Sequence, residues 1–186
     1  PYYLLGKLYA TLGRVDEAEQ MMASAIRLDP GYLPYAHLTL GVALTRAGKV
    51  EAAIEHFRQA LAADPNLGLA SYNLGLCLLN AGKVDEARQA LGRAQNLCQD
   101  DVRVMTGIAA AWVKLGEPER AEDIMEALVR SYPADADVLY TMGVVLEAEG
   151  RIDEALAYFR RALRYRPDLS TIRSRIEKLE SQKLAR

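Results

Sequence analysis

The sequence is short of the residues that most site chemistry needs. Only two cysteines and two histidines stand among 186 residues. Cys77 is expected mid-way along one helix and Cys98 just past the end of its partner. That separates them by roughly 13 Å of helix rise, too far for a bridge. Both are expected reduced, which fits a cytoplasmic protein and leaves a periplasmic one open. His37 takes the place of a large apolar residue between paired helices, and His56 lies beside Phe57. Neither has a cysteine or carboxylate at ligand spacing, so no metal site is expected. Phosphate-loop, HExxH, CxxC and GxSxG patterns are all missing. The chain therefore offers no candidate catalytic residue and no cofactor site.

An excess of one charge is missing too. Net charge is −2, whereas a protein that grips phosphates normally carries a basic surplus, so no nucleic-acid partner is expected. No apolar run approaches the roughly 18 residues of a spanning helix, and no direct membrane insertion is expected. The chain opens at Pro1 with neither Met nor a signal peptide, and a helix is under way at Tyr2. It is expected to be a fragment of a longer protein, whose targeting signals need not lie in it.

What is present is a period. Gly48, Gly82, Gly116 and Gly150 stand 34 residues apart. An apolar helical pattern precedes each, and Ala53, Ala87, Ala121 or Ala155 follows after a short acidic start. A period of this size marks stacked helix pairs. Five repeats are expected at 1–32 (a partial first repeat), 34–67, 68–101, 102–135 and 136–169, followed by a terminal helix within 170–186. In the first two repeats the helices are expected at about 2–12, 15–28, 34–47 and 50–63. Pro30 and Pro65 are 35 apart, so the junction at Gly31-Tyr32-Leu33 should differ from the others. Asp100 and Asp101 can cap the next helix, and Pro118 suits a first turn. Pairs such as Asp85-Glu86 and Asp153-Glu154 open second helices, where negative charge suits the helix dipole better than acid–base work.

Packing follows from the same register. Gly6, Gly41, Gly75 and Gly143 are expected to stand opposite Ala18, Ala53, Ala87 and Ala155, small residue against small residue. Repeat four departs, with Ala109 and Leu128 at positions held elsewhere by glycine and alanine. The tail carries five basic residues, Arg173, Arg175, Lys178, Lys183 and Arg186. Glu177 and Glu180 interrupt them, so the tail reads as a solvated cap and not as a membrane or nucleic-acid patch. Ile172, Ile176 and Leu179 form its dry face, and Arg173, Glu177 and Glu180 its wet one.

Tyr72-Asn73-Leu74-Gly75, Gly82-Lys83-Val84-Asp85-Glu86-Ala87, Gly150-Arg151-Ile152-Asp153-Glu154-Ala155 and the closing Asp64-Pro65-Asn66 resemble the tetratricopeptide repeat (TPR) family, and the likeness runs the whole chain. The resemblance implies an all-α fold, a right-handed superhelical solenoid of antiparallel helix pairs with first helices on the concave side. It also implies a binding groove for an extended peptide or a helix. On that geometry the inward residues include Tyr35, Leu38 and Arg46, then Leu69, Tyr72, Asn73, Leu76 and Asn80, then Arg103 and Lys114. Tyr140 and Glu147 continue the series. Tyrosine offers contact area with a polar tip, and asparagine suits a peptide backbone. One family variant clamps a C-terminal carboxylate through paired Lys and Asn; here Tyr3 and Lys7 hold those places, which argues against that mode. Of an asparagine ladder only Asn73 remains, flanked by Thr39 and Thr141.

The reading is a non-catalytic scaffold holding a protein or peptide in its concave groove. One alternative is a scaffold that self-assembles through its ends or groove into homo-oligomers. Another is the substrate-recruiting domain of a larger enzyme, such as a glycosyltransferase with an attached repeat array.

Overall fold

Each apolar helix in this chain is stopped by a glycine and restarted within three residues. The computed structural model describes residues 1–168 and 170–184. Leu169, Ala185 and Arg186 lie outside the described residues, so the last repeat boundary and one basic tail residue fall there. The described residues form eleven α-helices and one 3-10 turn, with no strand, as the all-α reading expects. They cluster into two compact units, Pro1–Gln99 and Asp100–Arg186.

The first unit holds α1 (Tyr2–Thr11), α2 (Val15–Leu28), α3 (Leu33–Arg46), α4 (Val50–Ala63), α5 (Gly68–Asn80) and α6 (Val84–Leu97). They pack as three helical hairpins, α1 on α2, α3 on α4 and α5 on α6. Neighbouring hairpins meet through α2 on α3 and α4 on α5, and the first helices touch in sequence, α1 to α3 to α5. The second unit holds α7 (Val102–Lys114), α8 (Pro118–Ser131), α9 (Ala136–Ala148), α10 (Ile152–Tyr165) and α11 (Ser170–Leu184). Here α7 pairs with α8 and α9 with α10, while α11 lies on α10.

The 34-residue glycine is a backbone requirement. Gly82 has φ +73°, and a Cβ there would meet no atom within 4 Å. Space is not the reason for glycine. The left-handed turn is, because it lets the Lys83 N–H reach back to the Leu78 carbonyl at 2.9 Å and close the helix end. At the starts of α7 and α9, Asp101 and Asp135 each accept from two free N–H groups, at 2.9–3.1 Å. Pro118 occupies the first turn of α8. The extra residue at the junction of the first two repeats is taken up as a 3-10 turn, Pro30–Tyr32. It lays Tyr32 on Tyr3 with ring centroids 4.9 Å apart.

The glycines inside the first helices do something else. A Cβ on Gly41 would lie 2.6 Å from Cε1 of Phe57, and one on Gly143 2.5 Å from Cε1 of Phe159. Gly75 faces Leu91 and Gly6 faces Met22 in the same way. Each glycine is a socket for a large, fully buried apolar residue of the partner helix. Ala18, Ala53, Ala87 and Ala155 are fully buried, and the atoms nearest each missing Cβ belong to Met22, Phe57, Leu91 and Phe159. Phe57, Phe159, Met22 and Leu91 are also fully buried; each such side chain contributes about 1.5–3 kcal/mol relative to exposure.

The terminal helix behaves as a cap. Ile172, Ile176 and Leu179 are buried, while Arg173 and Glu177 stay exposed. Glu180 is less free than expected, because Arg160 of α10 donates to it at 2.6 Å. Lys183 pairs with Asp153.

Candidate functional site

A helix returns to the same face after three, four, seven and eleven residues, so Leu69, Tyr72, Asn73, Leu76 and Asn80 form one stripe along α5. Tyr35, Leu38 and Arg46 form a second stripe along α3, with Thr39 and Val42. The two helices are in contact. Thr45 and Cys77 join them by a 3.3 Å hydroxyl–thiol contact. Burial holds the Cys77 thiol above its ordinary pKa, with the Thr45 hydrogen bond opposing. That thiol is neutral packing material and not a nucleophile.

The α3–α5 face is both apolar and wet. Tyr35 and Leu69 are 45% and 43% exposed, and Arg46 and Asn80 are exposed. Leu38, Tyr72, Asn73 and Leu76 are half-buried, and Leu38 packs on the core. The polar residues of the stripes hydrogen-bond their own helices first. Asn73 donates through Nδ2 to the Leu69 carbonyl at 2.7 Å, and Thr39 donates to the Tyr35 carbonyl at 2.8 Å. Such back-bonding uses one amide N–H and leaves the Asn73 oxygen as the natural acceptor for a ligand.

Arg103 and Lys114 belong to the second unit, where both are exposed on α7. The other expected inward residues of that unit are already engaged. Arg175 of α11 donates through Nε to Glu147 at 2.6 Å and through a terminal nitrogen to the Tyr140 hydroxyl at 3.1 Å. Hydrogen bonds to Glu147 and Tyr140 raise the Arg175 pKa against the opposing effect of burial. Arg166 donates to both oxygens of Asp137 at 3.0 and 3.1 Å. The polar stripe of α9 is thus partly closed by the residues that follow it. A period alone carries no signal for that closure.

One contact was also hidden from sequence reading. The two histidines meet, with Nδ1 of His37 3.0 Å from Nδ1 of His56 and ring centroids 5.2 Å apart. Burial lowers the pKa of both, and for His37 the charge of His56 adds to it; for His56, Glu19 and Glu55 oppose. One neutral ring donates to the other. The signal was the 19-residue spacing, which places both rings at one level of the second hairpin. Among the described residues no group of three histidine, cysteine or carboxylate side chains is arranged to hold a metal ion. Among them, too, no helix is long and apolar enough to cross a membrane.

Comparison with known proteins bears on the family and the fold. A family model described as the Cilia and flagella-associated protein 70 C-terminal domain matches residues 2–185. The chain is 29% identical over 178 residues to Protein O-mannosyl-transferase TMTC2 of Homo sapiens, covering 96% of this chain and 21% of that protein. It is 26% identical over 160 residues to Tetratricopeptide repeat protein 8 of Caenorhabditis elegans, covering 83% of this chain and 31% of that protein. The chain therefore spans less than a third of the length of either relative. Among solved structures it resembles YrrB, a TPR protein with an unusual peptide-binding site, at a TM-score of 0.73 and 22% identity, over 96% of this chain and 91% of that one. At that identity the likeness concerns the fold.

Proposed function

We propose, for a chain that belongs to the tetratricopeptide repeat proteins and to their Cilia and flagella-associated protein 70 C-terminal domain family, that it is a non-catalytic scaffold holding a protein segment against the α3–α5 face. The observation that carries this is the pairing of exposed Tyr35 and Leu69 on touching helices with the amides of Asn73 and Asn80. Large, stiff contact residues next to backbone-matching amides suit an ordered peptide. Arg46 gives this face a positive edge. That edge favours a partner segment with acidic residues; Arg103 and Lys114 stand exposed on α7 of the second unit. YrrB's peptide-binding site supports the reading by analogy of fold only.

The likeness to part of TMTC2 supports a recruiting role inside a longer protein, with any chemistry residing elsewhere. A second reading is self-association through α1 and its C-cap, where Leu4, Leu8 and Leu12 are all more than half exposed. Light scattering across concentration separates the two, because only self-association makes the particle grow.

The test is affinity capture from host lysate with two baits, read by mass spectrometry. One is the native chain and the other carries Tyr72→Ala, Asn73→Ala and Asn80→Ala, with helicity matched by circular dichroism. A partner captured by the first and lost by the second supports the reading. Equal capture by both moves the site off this face.

A further inference from the structure

We infer that the third hairpin carries a second, independent site on its other side: a pocket between α4, α5 and α6 that takes a tyrosine side chain of a partner protein, one whose flanking residue is acidic.

Two repeat positions meet across the second hairpin. Eleven residues before each turn glycine stand Tyr2, His37, Ser71, Met105 and Leu139, and eight after it Met21, His56, Ala90, Ile124 and Tyr158. The 3.0 Å contact of His37 with His56 shows that these two positions touch. Four hairpins put two large side chains there. The third puts a serine and an alanine, and its interior is left underfilled.

The result is a cleft of about 160 Å³. Leu61, Leu74, Leu78 and Ala90 line its apolar part. Ser71, fully buried, also lines it, and its hydroxyl has no hydrogen-bond partner. A cavity of about 150 Å³ accommodates a benzene ring, so the space suits one six-membered aromatic side chain. A buried hydroxyl without a partner is costly, and an aliphatic or phenyl occupant would leave it so. A phenol fills the same volume and both donates and accepts. Tyrosine is also cheap to order, with two side-chain torsions. The molecule itself fills the matching position of the fifth hairpin with Tyr158.

The mouth supplies the flanking preference. Arg58, Glu86 and Arg93 stand around it. Arg58 is tied to Glu86 at 2.6 Å, which leaves the rim cationic at Arg93. An acidic neighbour of the tyrosine is favoured there, an effect that salt weakens. The pocket lies on the side of α5 away from Tyr72, Asn73 and Leu76, so it does not depend on the α3–α5 face.

The test uses the whole 186-residue chain, labelled with 15N, and acetyl-Asp-Tyr-amide as probe. Saturable shifts are expected at Leu61, Leu74, Ser71 and Ala90. Acetyl-Asp-Phe-amide is expected to bind at least fivefold more weakly, and acetyl-Lys-Tyr-amide more weakly at low salt. Ala90→Ile, which installs the residue of the fourth hairpin, should weaken tyrosine binding at least tenfold. Ser71→Ala should abolish the preference for tyrosine over phenylalanine while keeping the cleft. Absence of saturable shifts overturns the proposal and leaves the cleft to water. Equal binding of the two aromatic probes by the native chain overturns it as well, as does tyrosine binding that survives Ala90→Ile. If Ala90→Ile fails to fold, the comparison of native chain with Ser71→Ala still decides.

Discussion

The ring of Phe57 occupies the place where a side chain on Gly41 would stand, with Cε1 2.6 Å from the position of the missing Cβ. This contact sets the spacing of α3 and α4. Gly41→Ala gains up to about 1 kcal/mol of helix propensity, but the overpacking costs about 1–3 kcal/mol. A net loss of stability is expected in urea unfolding. Adding Phe57→Leu to Gly41→Ala should recover part of that loss, giving a coupling of more than about 0.5 kcal/mol in a double-mutant cycle. Additive effects would mean that the two residues do not share the space.

The histidine pair makes stability depend on pH. Both folded pKa values lie below the ordinary value, near 6.5 for an unfolded chain. In the window between, the unfolded state binds more protons than the folded one, so stability rises with pH there. The contribution is complete above about pH 6.5 and is lost progressively as pH falls through that value towards the lower folded ones. Urea midpoints measured from pH 7.5 down to pH 5 should decline, and His37→Phe should flatten that slope. An unchanged slope in the variant would assign the pH dependence to groups other than His37.

The cap of the second unit is predicted to matter through its dry face. Ile172 is almost fully buried, and Ile172→Ala should cost about 2–5 kcal/mol. Arg173→Ala, at an exposed site, should stay within about 0.5 kcal/mol. Thermal unfolding followed at 222 nm reads both.

Cys77 should resist a thiol reagent. It is buried, and burial raises its pKa, so little thiolate is present at neutral pH. Modification at Cys77 is expected only as fast as the first unit opens, and at full rate in urea. Rapid modification of the native protein, mapped to Cys77 by peptide mass, would contradict the packing of α3 on α5.

Much of the fold was legible in the residues. The 34-residue glycine carries its own physical reason, since a positive φ excludes most other residues. Pro118 and Asp101 mark helix starts by simple chemistry, and Ile172, Ile176 and Leu179 marked the dry face of α11. What was not legible is which side chain fills which gap. Gly41 and Ala53 share a face by period, yet the ring of Phe57 takes the socket, and spacing does not give side-chain reach. His37 and His56 carry no pairing signal as separate residues; their contact depends on two hairpin positions that meet in space. Arg175 reads as one more tail cation. Its hold on Tyr140 and Glu147 comes from the docking of α11, which lies outside any one repeat. The candidate face stands in the same position: the period placed Tyr72 and Asn73 on one stripe, but the bond from Asn73 to Leu69 shows only in the structure.

The central claim, that a partner segment lies on the α3–α5 face, is most directly tested by titrating the captured partner segment calorimetrically into three forms of the chain. These are the native protein, the Asn73→Ala/Tyr72→Ala variant, and Ala90→Ile, which changes α6 at the cleft on the far side of α5. The expected result is a loss of at least tenfold in affinity for the double variant and none for Ala90→Ile. Full affinity in the double variant, with loss in Ala90→Ile, would contradict the claim and place the main partner in the outer pocket instead.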